Sequence, residues 1–125
     1  MPQQRILIVE DDTDLRRMFR TSLSMAGYAI SEASDGIDAL HLIDSHPPDL
    51  VILDLHLRVL DGLSVQQELA ARAITASIPI VIVTGSEIAV EGKNVACVLR
   101  KPVTPDRLLR TVQACITGGA PASGI

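Results

Sequence analysis

Aromatic side chains are nearly missing from this sequence: it has no tryptophan, one phenylalanine (Phe19) and one tyrosine (Tyr28). That leaves few surfaces on which a flavin or another ring-shaped cofactor could stack. Basic charge is not in excess either. The formal net charge is −4, so there is no electropositive footprint and no direct nucleic-acid partner is expected. No apolar run approaches the roughly 20 residues that cross a bilayer, which removes a membrane partner. There are two cysteines, Cys97 and Cys115. Their separation fits no metal or redox spacing, and they read as small core residues, free thiols suited to a reducing compartment. Glu10, Asp11 and Asp12 arrive before any signal-peptide pattern develops, so the expected location is cytoplasmic. What is there is 125 residues, 47% hydrophobic and 21% charged, enough for one globular domain with a proper core.

The chain is organised around Leu50-Val51-Ile52-Leu53-Asp54. Four apolar residues, half of them β-branched, read as a strand buried on both faces, and Asp54 falls where that strand leaves the sheet. Three other strand-like runs end the same way. Arg5–Val9 runs into Glu10-Asp11-Asp12, Ile78–Val83 into Thr84-Gly85, and Val95–Leu99 through Arg100 into Lys101-Pro102. Ligands of open α/β sheets bind outside the carboxyl ends of the strands.

Between the strands the period changes to helical. Thr13 to Ala26 places Leu15, Met18, Phe19, Ser22 and Ala26 on one face, with Asp12 or Thr13 as N-cap and Gly27 as the stop. Tyr28 to Ala33 is a weaker strand suited to an edge. Asp35-Gly36 turns into a second helix with a stripe of Ile37, Leu40 and Ile43, ended by His46-Pro47-Pro48. A third helix is expected from about Ser64 to Ala73, with Val65, Leu69 and Ala73 inward. The crossover Gly85–Asn94 is so brief that helix 4 should be short or irregular. The last helix has Thr104 as cap, Pro105 first, Asp106 on the dipole, and Leu108, Leu109, Val112 and Ile116 inward. Residues 1–117 form the expected domain, and 118–125, small and Gly/Ala/Pro/Ser-rich, a flexible tail or truncated linker. This β–α alternation implies a single α/β domain, a flavodoxin-like doubly wound five-stranded parallel sheet in the order 2-1-3-4-5.

In that order Glu10 and Asp11 face Asp54 across neighbouring strand ends. Three carboxylates in one cleft repel unless positive charge joins them. Lys101 supplies one charge, and Mg²⁺, a hard cation that takes carboxylates, waters and phosphate oxygens, fits the rest. Asp54 could then act as a nucleophile on phosphorus, with Thr84 and Lys101 holding the transferred oxygens. Taken singly the residues have plainer readings: Asp11 and Asp12 as helix caps, Thr84 as a strand residue, Lys101 as a solvated charge, Asp61-Gly62 as a turn. Their agreement at four strand ends favours a site.

The motifs Ile6-Leu7-Ile8-Val9-Glu10-Asp11-Asp12, Pro48-Asp49-Leu50-Val51-Ile52-Leu53-Asp54-Leu55, Asp61-Gly62, Val83-Thr84-Gly85 and Lys101-Pro102 together resemble the receiver domain of bacterial two-component response regulators. The resemblance spans residues 5 to 116. It implies that Asp54 accepts a phosphoryl group from a histidine kinase or a histidine phosphotransfer protein. It further implies that Asp11 binds Mg²⁺ directly, Glu10 through water, and that the His56 backbone carbonyl completes the metal site. Thr84 would be the switch hydroxyl and Lys101 the phosphate-pairing lysine. Such a domain is a signalling module rather than a turnover enzyme, and it switches the binding of a downstream effector protein or domain.

Three features depart from the family pattern. Arg58 stands where proline is usual. Val98 stands three residues before Lys101, where receivers commonly carry an aromatic switch residue. The crossover Gly85–Asn94 is short, which alters the face through which relatives bind partners or a second copy, and homodimerisation is left open. The alternative is therefore a pseudo-receiver that binds protein without phosphorylation. A phosphatase of the haloacid dehalogenase type is disfavoured because His56 occupies the place of that family's second aspartate. A flavin carrier is disfavoured by the acid-lined strand ends.

Overall fold

The computed structural model describes residues 3–87 and 90–116. Residues 118–125, expected as a tail or linker, lie outside them. Five strands, β1 (Arg5–Val9), β2 (Ala29–Ala33), β3 (Leu50–Asp54), β4 (Ile80–Thr84) and β5 (Val95–Arg100), form one parallel sheet in the order β2-β1-β3-β4-β5. Four helices accompany them among the described residues: α1 (Thr13–Met25), α2 (Gly36–Ser45), α3 (Gly62–Ala71) and α4 (Pro105–Ile116). This is the α/β flavodoxin-like topology that the strand pattern implies.

Side-chain alternation along the inner strands divides the core into two layers. Ile6, Ile8, Ile52 and Val83 pack with Phe19 and Leu23 of α1 and with Leu108 and Val112 of α4. Leu7, Val9, Leu53 and Ile82 point the other way, onto Ala39 and Ile43 of α2 and Val65 and Leu69 of α3. β3 and β4 are buried along their whole length, which is why their sequences are continuous apolar runs instead of alternating ones. The sheet thus carries its strand ends to one rim while the apolar side chains of the inner strands are used up inside.

Each helix starts on a side-chain cap that satisfies one of its free N–H groups. Asp12 Oδ1 accepts from the Leu15 N–H at 2.9 Å, Asp35 Oδ1 from Asp38 at 2.9 Å, Asp61 Oδ1 from Ser64 at 2.8 Å, and Thr104 Oγ1 from Arg107 at 3.2 Å. Asp61-Gly62 is therefore a helix start as well as a turn. Gly27, at φ +99°, ends α1 in the left-handed region that favours glycine.

Three helical faces differ from the expected ones. Ala26 caps α1 and is exposed, and the buried residue of that turn is Leu23. In α2 the stripe is Gly36, Ala39 and Ile43, with Ile37 40% exposed. Gly36 packs so tightly on the Leu60 carbonyl that the helix turns its small residues inward. α3 ends at Ala71, because the Thr75 hydroxyl donates to the Leu69 carbonyl at 2.8 Å and the chain becomes extended at Arg72, leaving Ala73 outside and exposed. The β4–β5 connection holds no helix among its described residues, 85–87 and 90–94, where a short or irregular helix 4 is expected from the sequence. It is strapped to α3 by a buried amide pair. Gln66 Nε2 donates to Asn94 Oδ1 at 2.9 Å, and Asn94 Nδ2 donates to the Gln66 carbonyl at 3.1 Å.

Candidate functional site

The strand ends bring together the residues that the sequence singles out. Carboxylate oxygens of Glu10, Asp11 and Asp54 all lie within 4.8 Å of one another. Glu10 and Asp54 are 1% and 2% exposed, Asp11 only partly buried. β1 and β5 are separated by two strands, yet Lys101 reaches across: its Nζ stands 3.2 Å from Glu10 Oε1 and 3.5 Å from Asp54 Oδ2. The Lys101 N–H also donates to the Thr84 carbonyl at 2.8 Å, tying the lysine to the end of β4. The Lys101–Pro102 peptide bond is cis.

Burial decides the electrostatics. Glu10 is pushed up from 4.5 to about 7, first by burial and then by the neighbouring Asp54 carboxylate. Burial alone would pull Lys101 down, but the Glu10 and Asp54 carboxylates more than offset it and its pKa is raised. Glu10 Oε2 accepts from the Asp12 N–H at 3.2 Å, whereas Oε1, buried, has no aligned hydrogen-bond partner among the described residues and lies 3.2 Å from the Lys101 ammonium. A buried carboxylate oxygen without a bonded partner is costly. The donor set is all hard oxygen, excess in negative charge, and opens outward through Asp11. These residues fit a divalent cation such as Mg²⁺.

The loop after β3 shapes the mouth. The His56 N–H donates to Asp54 Oδ1 at 3.1 Å and so holds the carboxylate, while the His56 side chain is exposed. Arg58, 85% exposed in its side chain, lies 4.0 Å from Asp11 Oδ2. The Leu60 N–H donates to the Arg58 carbonyl at 2.7 Å around Val59, which has φ +69°, a strained tight turn. A backbone bridge between Asp35 and Arg58 pins this loop to the start of α2.

Sequence reasoning did not find Arg16, whose Nη1 donates to the Glu10 carbonyl at 2.7 Å while its Nε pairs with Glu32 at 3.3 Å. Nor did it find Ser86, whose N–H donates to Thr84 Oγ1 at 3.1 Å. Arg16 acts from α1 with no spacing signal, whereas Ser86 stands two residues after Thr84, the spacing of a local threonine turn. Gly62 did carry a signal, in the Asp-Gly pair: a Cβ there would run into the Asp54 carbonyl oxygen. Val98 is partly buried against the α2–α3 layer and brings no ring to the site.

A family model described as the response regulator receiver domain matches residues 6–113. The chain belongs to the response regulator receiver family. The response regulator MprA of Mycobacterium sp. (strain KMS) is 36% identical over 125 residues, covering 96% of this chain and 54% of that protein. This receiver therefore spans about half the length of the curated relatives that it matches. Among solved structures, the chemotaxis response regulator CheY4 of Vibrio cholerae superposes with a TM-score of 0.82 at 26% identity, over 90% of this chain and 98% of that one. The receiver domain of the sensor histidine kinase PA1611 from Pseudomonas aeruginosa PAO1, solved with a magnesium ion coordinated in its active-site cleft, gives a TM-score of 0.83 at 28% identity, over 93% and 99% of the two chains. The receiver is a signalling domain of two-component systems. No helix among its described residues is long and apolar enough to cross a membrane.

Proposed function

We propose that this receiver is a phosphoacceptor that takes a phosphoryl group onto Asp54 from a phosphohistidine of a histidine kinase or histidine phosphotransfer protein, and thereby switches the binding of a downstream effector protein or domain. The observation that carries this reading is Asp54 itself, buried, grouped with two further carboxylates and faced by Lys101 at 3.5 Å. A carboxylate oxygen of Asp54 attacks phosphorus. The O–P bond forms as the P–N bond breaks, and the departing imidazole keeps the electron pair and takes up a proton.

Phosphoryl transfer asks mainly for positioning and neutralised charge. The His56 N–H bond to Asp54 Oδ1 fixes the nucleophile's orientation. Lys101 places its ammonium beside Asp54, where it can neutralise the negative phosphoryl oxygens that the transfer brings in, and Thr84 offers a hydroxyl from the end of the adjacent strand. Asp11 and Asp54 would hold Mg²⁺ directly, Glu10 through water, and the His56 carbonyl would complete the set. When bound, the ion neutralises these carboxylates and draws charge from the phosphoryl oxygens.

Intact-mass spectrometry after acetyl phosphate treatment tests this. One phosphoryl adduct is expected in the presence of Mg²⁺, and none without the ion or in a folded Asp54→Asn variant. A folded parent that gains no adduct from acetyl phosphate or from a phosphohistidine donor would support the phosphate-independent binding module instead.

A further inference from the structure

Thr84 ends β4 with none of its surface exposed, so its hydroxyl has to be satisfied inside the protein. Both of its bonds go to Ser86. The Ser86 N–H donates to Thr84 Oγ1 at 3.1 Å, and the two hydroxyl oxygens lie 3.0 Å apart. Either hydroxyl could donate across that 3.0 Å contact, and it is the burial of Thr84 that favours Thr84 as the donor. The Thr84 proton cannot reach water, and Ser86 Oγ is the acceptor within bonding distance of it among the described residues. Ser86 is only half-buried and can turn its own proton to water. Ser86 is also anchored. Its carbonyl accepts from Arg100 Nη1 at 2.9 Å, and Arg100 lies 3.9 Å from Glu87.

We infer that Ser86 is a positioning residue of the phosphoryl site: its hydroxyl parks the Thr84 proton, and a phosphoryl group on Asp54 gains Thr84 as a donor only by taking that proton from Ser86. The inference rests on the phosphoacceptor reading of Asp54. A hydroxyl has one proton, so the two acceptors compete for it. Parking therefore weakens the hold on a phosphoryl group by the worth of one neutral hydrogen bond, roughly two- to tenfold in affinity. Arg100 makes the competition effective by fixing the Ser86 backbone, and it precedes Lys101 directly, so the parked threonine and the phosphate-facing lysine share one framework.

The test uses beryllofluoride, a non-covalent phosphoryl mimic, bound to the full chain with Mg²⁺ and read by fluorine NMR, beside Mg²⁺ affinity measured alone. Ser86→Ala should bind beryllofluoride roughly two- to tenfold more tightly with unchanged Mg²⁺ affinity, and Ser86→Thr should return to the parent value. In a Thr84→Ala background the Ser86→Ala change should have no effect. Ser86→Gly, which also lacks the hydroxyl, gives a second measurement if the alanine variant folds poorly. A merely structural serine would loosen beryllofluoride and Mg²⁺ together. Equal or weaker beryllofluoride binding with unchanged Mg²⁺ affinity, or the same tightening without Thr84, would overturn the role of Ser86. A parent that binds Mg²⁺ but neither beryllofluoride nor an acetyl phosphate-derived phosphoryl group would overturn the phosphoacceptor reading, and this inference with it.

Discussion

Lys101 and Glu10 form an ion pair at 3.2 Å across two intervening strands, with Glu10 almost wholly buried and Asp54 at 3.5 Å on the lysine's other side. One ammonium thus serves two buried carboxylates. Removing it leaves them facing each other with no counter-charge. Lys101→Met should lower the metal-free stability at neutral pH by about 2 kcal/mol, less than the loss of a fully buried partner because the lysine is partly exposed. Mg²⁺ should recover most of that loss. Urea titrations with and without the ion check this; a variant as stable as the parent without Mg²⁺ would show that the pair contributes nothing net.

The Glu10 carboxyl, held near 7 by burial and by Asp54 instead of at its ordinary 4.5, gives the metal-free protein a pH dependence of defined sign. Between those two values the unfolded chain has already lost the proton that the folded chain keeps. Unfolding then releases a proton, and stability falls as pH rises through the window from 4.5 to about 7. A divalent cation needs the carboxylate, so its binding expels the same proton, and affinity should drop by up to about tenfold per pH unit below 7. Thermal melts from pH 5 to 8 should show Mg²⁺ stabilisation growing with pH. Glu10→Gln should flatten both trends, and an unchanged metal-free slope in that variant would contradict the assignment.

Gly62 packs a bare backbone against the Asp54 and Leu55 main chain, and its N–H donates to the Leu55 carbonyl at 3.0 Å. A methyl group at this position has no room and can be fitted only by moving the backbone that carries Asp54. Gly62→Ala should cost about 1–3 kcal/mol and weaken Mg²⁺ binding. Gly85→Ala, whose new methyl would meet open space, should stay within about 0.5 kcal/mol of the parent. Equal stability of the two variants would contradict the close approach at Gly62.

Cys115 is pushed up to about 11 by burial and by neighbouring Cys97, and burial raises Cys97 as well. The thiolate is the reactive form. At pH 8 iodoacetamide should label the folded protein slowly at both positions and rapidly in urea; fast labelling of folded protein would place a thiol at the surface.

The sheet was legible because β3 and β4 are buried on both faces, and such strands write themselves as runs like Leu50–Leu53 and Ile80–Val83 ending in Asp54 and Thr84. Strand order then followed from chain chirality, and it brings Glu10, Asp11, Asp54 and Lys101 to one rim. Helix faces were less legible. Large residues such as Ile37 weigh heavily in a periodicity, but α2 buries its small side, Gly36 and Ala39, to approach the Leu60 carbonyl. Ala73 was lost from α3 because a single hydroxyl, that of Thr75, closes the helix early. Arg16, Ser86 and the Gln66–Asn94 strap were out of reach for another reason. The partners of Arg16, Gln66 and Asn94 lie on other elements or beyond a loop, and no repeat or spacing encodes such a contact. Ser86 sits at the i+2 place of a local threonine turn, too common a pattern to single it out.

Trapping the acyl phosphate with borohydride tests the central claim most directly. Reduction converts a phosphorylated aspartate to homoserine, and peptide mapping then reads the position. After acetyl phosphate and Mg²⁺, the account predicts homoserine at position 54 and at no other aspartate. Conversion at Asp11, Asp12 or any other acidic residue, with Asp54 unmodified in folded protein, would contradict it.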